Sequence, residues 1–193
     1  MINMAKTRRQ GRRKRVALAI FLCVILLAAA LGLGYRWSQL RAYPYNYQTI
    51  IEQNAAKYGE DPLFIASVIR TESSWKPNAA SSVGAKGLMQ IMPNTGKEIA
   101  TKNKWEYSEE KLTDPAFSIQ LGCWYIDHLS KNFNGDKTLI LAAYNAGESR
   151  VRDWVSKGYF KDGYADIPYP ETRSYVGKVL NAYEKYKSLY KSK

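Results

Sequence analysis

The sequence predicts an all-α domain behind a single apolar N-terminal helix, and three observations carry that prediction. Apolar residues recur at helical spacing in one segment after another, and no stretch alternates with period two for long enough to demand a sheet. The pairs Asp61-Pro62 and Asp114-Pro115 each supply a capping carboxylate followed by proline at the first helical position.

At the start of the chain, Lys6, Arg8, Arg9, Arg12, Arg13, Lys14 and Arg15 precede an uncharged run of 20 residues from Val16 to Tyr35. That length spans the hydrocarbon core of a bilayer. With these cations on its N-terminal side and no acid before Glu52, residues 1–15 are expected in the cytoplasm, 16–35 in the membrane and everything after Tyr35 outside. A cleaved signal peptide ending at Ala28-Ala29-Ala30 is the rival reading. The apolar run continues past those alanines, beyond the roughly 7–15 residues of a signal core, which favours an uncleaved anchor. Cys23 sits in mid-run without the small residues that lipoprotein processing prefers before it.

Residues 36–45 read as an interfacial stalk, because Trp37 and the tyrosines suit the headgroup zone. The domain then runs from 46 to 193. Helix is expected over Asn46 to Tyr58, stopped by Gly59, and again after the Asp61 cap. Helical periodicity or stop signals mark 87–92, 94–103, 114–133, 137–146 and 148–157, and a last helix runs from Pro170 to Tyr190. Loops fall at 75–86, 104–113 and 158–169. Cys23 and Cys123 are too separated in role to form an internal bridge, so about 150 residues must hold themselves together by burying a core. Cys123 reads as a small apolar member of that core.

The formal charge of +12 does not point to nucleic acid. Seven of the 29 cations belong to the tail, leaving 22 against 17 acids, or +5, in the rest. No nucleic-acid motif is present, and the 15 tyrosines are dispersed. A moderate positive excess suits an anionic polymer. His128 is the only histidine, which leaves a histidine metal site or a Ser-His-Asp triad almost nothing to build on, and no phosphate-binding glycine loop occurs. No metal or cofactor is called for.

The chemistry is concentrated after Asp61. Ile65, Val68, Ile69 and Glu72 fall at i, i+3, i+4 and i+7, which puts Glu72 on an apolar stripe. Such a carboxyl has its charged form disfavoured and can donate a proton near neutral pH. A glutamate swinging back to solvent, or pairing with Arg70, fits that pattern equally well.

Four blocks then follow in order: Arg70-Thr71-Glu72-Ser73-Ser74-Trp75, Gly87-Leu88-Met89-Gln90-Ile91-Met92-Pro93, Ala142-Ala143-Tyr144-Asn145-Ala146-Gly147, and Ile167 to Val176. In that order and spacing they resemble the soluble-type lytic transglycosylases, which share a goose-lysozyme-like fold. The resemblance extends from about Asn46 to Tyr186. It implies Glu72 as catalytic acid/base, Ser73 as its neighbour at the sugar or carboxyl, Met89 and Gln90 as groove residues, Tyr144 and Asn145 as the grip on an N-acetylated sugar, and Tyr175 as the hydroxyl that reaches the carboxyl. Glu148 and Glu171 are left outside the site. The implied substrate is peptidoglycan in a bacterial envelope. The implied reaction protonates the MurNAc–GlcNAc bond, then closes the muramoyl 6-hydroxyl onto C1 as a 1,6-anhydro ring. With no second acid in a matched position, the substrate's N-acetyl oxygen must assist, one of the exceptions among glycosidases. Two rivals stay open: a muramidase of the same fold in which water captures the intermediate, and a non-catalytic wall-binding component of a secretion, conjugation or sporulation machine.

Overall fold

A computed structural model describes residues 2–191, and among these the chain is helical with no strand. It divides into two units, 1–44 and 45–193.

The first unit is a single helix, α1 (Ile2–Ala42), which runs unbroken through the apolar run and most of the segment read as a stalk. Its stretch Ile20–Ala42, 23 residues with an 18-residue window of mean hydropathy 2.0, is long and apolar enough to cross a membrane.

The second unit carries α2 (Gln48–Tyr58), α3 (Pro62–Ser73), α4 (Pro93–Asn103), α5 (Pro115–Asn132), α6 (Lys137–Ala146), α7 (Glu148–Ser156) and α8 (Pro170–Tyr190). Short 3-10 turns occupy Glu110–Thr113 and Gly163–Asp166. Three helices start on an aspartate for one reason: its carboxylate accepts backbone N–H groups that the first turn leaves unpaired. Asp61 accepts from Leu63, Asp114 from Phe117, and Asp136 from Thr138 and Leu139.

α3 is the centre of the domain. Its side chains from Leu63 to Ile69 are all buried, and it packs against α8 and α2. Cys123 of α5 is fully buried in the same core.

The segment 87–92 departs from expectation. It forms no helix; antiparallel bridges join Lys86 to Ala80 and to Ile91, and Gly87 and Gln90 have φ of 81° and 47°. The apolar residues that suggested a helix, Leu88, Met89 and Ile91, are buried by tertiary packing of an irregular turn. Gly87 is required there twice over, by its left-handed backbone and because a side chain would collide with the Leu112 carbonyl.

Candidate active site

The stripe read from the sequence is real: Ile65, Val68 and Ile69 have no exposed surface, and Glu72 continues their line at the C-terminal end of α3. Burial pushes the Glu72 carboxyl up to about 7, and the Tyr175 hydroxyl opposes that rise. The negative end of the α3 dipole disfavours a second negative charge there as well. Immediately beyond, Ser74 and Trp75 hold consecutive positive φ values of 50° and 66°, a reversal that non-glycine residues adopt only under constraint. The Trp75 indole N–H donates to the buried Tyr186 hydroxyl at 3.1 Å, fixing the reversal to α8.

Tyr175 reaches Glu72 from the first turns of α8 and Tyr144 from α6. Both hydroxyls are buried, and both are pushed well above the usual phenol range, first by burial and then by the Glu72 charge. They differ in what they have left to give. Tyr144 Oη donates to the Met89 carbonyl at 2.7 Å. Tyr175 Oη makes no hydrogen bond of good geometry, although it lies close enough to act on the carboxyl. It is a donor poised at the acid, with its capacity unspent.

The structure thus brings Glu72, Tyr144 and Tyr175 together. The other expected residues divide. Met89, read as lining a groove, is fully buried against Gly122, where any side chain would strike its sulfur. Its backbone is the useful part, with N–H donating to Ser118 Oγ at 3.2 Å and carbonyl receiving Tyr144, so the side chain is left to fill the core. Met92, 41% exposed, is the methionine of that block that meets solvent. Gln90 donates its amide to the carbonyls of Ala79 and Gly87, holding the irregular turn in shape. Ser73 is buried and donates to the Ile69 carbonyl at 3.1 Å, while Asn145 stands exposed beside Tyr144.

One neighbour escaped the sequence reading. Tyr125 of α5 packs on the Tyr144 ring at 5.4 Å. Its only signal was a position on the border between the buried and exposed faces of α5.

No carboxylate is among the groups that shift Glu72; Glu98 and Glu148 act on Tyr125 instead. The site therefore offers one acid, held near neutrality, with two phenols around it. Cavities of 390 and 340 Å³ lie elsewhere. The first opens at the Asp61 end of α3, about 16 Å along the helix from Glu72. Neither contains Glu72, Tyr144 or Tyr175.

The chain is 34% identical over 160 residues to the soluble lytic murein transglycosylase of Escherichia coli, covering 79% of this chain and 25% of that one. It is 32% identical over 145 residues to the membrane-bound lytic murein transglycosylase D of the same organism, covering 73% and 31%. An inactive glutamate-to-glutamine mutant of the lytic transglycosylase Slt from Pseudomonas aeruginosa superposes with a TM-score of 0.72 at 35% identity, covering 76% of this chain and 24% of that one. The chain spans about a quarter of the length of the first curated relatives it matches. The transglycosylase SLT domain model matches residues 49–167, most of the helical domain whose centre is α3, and the chain belongs to that family.

Proposed function

We propose that this protein is a lytic transglycosylase that cuts peptidoglycan glycan strands between MurNAc and GlcNAc and leaves 1,6-anhydro-MurNAc ends. The observation that carries the reading is Glu72, a carboxyl raised to about 7 with no second carboxylate acting on it. Protonated, Glu72 gives its proton to the glycosidic oxygen. The substrate's N-acetyl oxygen supports the positive charge that develops at C1. The Glu72 carboxylate then takes the proton of the muramoyl 6-hydroxyl as that oxygen bonds to C1, so no water is consumed. Tyr175 steadies the carboxylate between the two steps with the hydrogen bond it has free to give.

A muramidase of the same fold would let the Glu72 carboxylate take its proton from water instead of the 6-hydroxyl, and the mass of the product separates the two. A scaffold without activity would have no use for a proton donor tuned to neutrality.

The apolar helix supports a membrane anchor with residues 1–15 inside, 16–35 spanning and the catalytic domain 46–193 outside, joined by a stalk at 36–45. Protease added to wall-stripped cells then degrades the domain. Survival of the domain until the membrane is permeabilised overturns that topology.

The deciding experiment digests purified peptidoglycan with the full chain and weighs the muropeptides. Products lighter than hydrolysed ones by one water are expected, and de-N-acetylated glycan should be cut poorly. Hydrated ends would make the protein a muramidase, and equal rates on both substrates would remove the N-acetyl group from the mechanism.

A further inference from the structure

Beyond Tyr125 the rings continue. Trp124 and His128 of α5 stack with centroids 5.4 Å apart and planes only 4° from parallel, and the Tyr125 ring lies 6.4 Å from His128 at 12°. With Tyr144 on Tyr125 at 5.4 Å, four rings form one row. The row starts at a residue that feels the Glu72 charge and ends on Trp124. All four residues are half-buried.

The outer part of this row lies off the apolar core of the domain. The buried side of α5 is made by Ile119, Leu121, Cys123, Ile126 and Leu129, while Trp124 and His128 stand off it. Their orientation is nevertheless built. The Asn132 amide donates to Glu148 Oε1 and lies 3.1 Å from His128 Nε2, Glu148 Oε2 lies 3.2 Å from the same nitrogen, and the Arg152 guanidinium donates twice to Glu148 Oε1. A surface imidazole held on one edge by α7 while its face carries an indole is a preorganised flat support.

We infer that Trp124 and His128 form an outlying subsite that binds one more N-acetylhexosamine ring of the glycan strand, away from the pair of sugars that flank the cleaved bond. The inference rests on the glycan-strand reading above. The C–H face of a β-linked hexosamine is flat and apolar, and it packs on aromatic rings, while its hydroxyl and acetamido edges stay wet. The strand is long and the row leads outward from Tyr144, so a sugar seated on Trp124 belongs to the same strand as the one at Glu72. Binding at this subsite strengthens the hold on long strands and adds nothing for short ones.

The test uses the full chain in detergent with Glu72→Gln present, so that binding is read without turnover. Calorimetry measures peptide-free glycan strands of four and eight sugars on that background, with Trp124→Ala and Trp124→Phe added in turn. The longer strand should bind more tightly than the shorter, and Trp124→Ala should weaken the longer about five- to tenfold and the shorter less than twofold. Trp124→Phe, which keeps a flat face, should restore most of the difference. If Trp124→Ala does not fold, His128→Ala takes its place with the same expectation. Equal losses for both lengths, or none, overturn the subsite while the catalytic reading stands. Absence of any binding by either strand to the Glu72→Gln protein overturns the glycan reading itself.

Discussion

Glu72 and Glu148 are the same side chain in one domain, and their surroundings drive them apart. Glu72 ends a helix, sits against apolar residues and two phenols, and is pushed up to about 7 by burial. Glu148 opens α7, and although burial works to raise it, the hydrogen bonds and charge from Arg152, with His128 behind, bring it below the ordinary carboxylate range. Helix polarity acts in the same two directions: the C-terminal end of α3 disfavours a charge that the N-terminal end of α7 favours. One carboxyl is a proton store, the other a fixed anion that orients its neighbours. The difference teaches that position along a helix and the company of a cation, not residue type, decide which glutamate can do acid chemistry.

The strongest test of this contrast is Glu72→Gln, which keeps the shape but can neither give nor take a proton. Release of anhydro muropeptides should fall by at least about 10²–10⁴-fold. The variant should melt no lower than the wild type, and above pH 7 it should be more stable by about 1–3 kcal/mol, because a neutral amide replaces a charge held in an apolar place. Lost activity with a collapsed melting curve would return Glu72 to a structural role.

The pH profile comes next. The first step needs protonated Glu72, so kcat/KM should fall roughly tenfold per pH unit well above 7. Stability follows the same group: the contribution of neutral Glu72 is full below its ordinary 4.5 and is lost as pH rises through about 7. Glu148 works oppositely, contributing above the ordinary carboxylate value and losing that contribution as pH falls through its lowered pKa. A rate that stayed level from pH 6 to pH 9 would break the contrast.

Tyr175→Phe is a smaller change. Without the hydroxyl that favours the carboxylate, the alkaline limb should move to higher pH while the maximal rate drops several-fold. A limb moving downward would mean that Tyr175 acts on Glu72 in some other way. Smallest of all is Glu148→Gln, read by thermal melting near neutrality. Its ion pairs are partly exposed, so the loss should be about 0.5–1 kcal/mol and should vanish in acid. Loss of anhydro product as deep as for Glu72→Gln would make the two carboxylates a catalytic pair and overturn the single-acid mechanism.

Much of this was legible in advance, and the reasons are local. Asp61 and Asp114 announce helices because capping is decided within one turn. The stripe that carries Glu72 was legible because a period of 3.6 is a property of one helix, while the four ordered blocks singled the residue out. The turn at 87–92 was misread as helical because apolar residues buried by distant packing look like one helix face, and the constraint on Gly87 comes from Leu112, across α4. The role of Met89 was hidden for a related reason: what matters is its peptide group, gripped by Ser118 and Tyr144, and a side-chain pattern says nothing of that. The row from Tyr125 to Trp124 needed α6 and α7 in place beside α5 before its rings could be seen to align.

The Asp61 carboxylate does two things at once: Oδ1 caps α3 and Oδ2 accepts the Tyr183 hydroxyl of α8 at 2.6 Å. Glu72 and Tyr175 stand at the other ends of those same two helices. The acid and the phenol are therefore aligned by a two-point mounting, one point chemical and the other a helix length away. Each helix behaves as a stiff rod, so sliding play at the Asp61 end travels to the reactive end almost undiminished. Removing the Tyr183 hydroxyl leaves its ring against Phe64 and the mean structure in place. On the proposed mechanism the spread of distances between Tyr175 and Glu72 should then widen, so Tyr183→Phe should slow the reaction although Tyr183 is no part of the site.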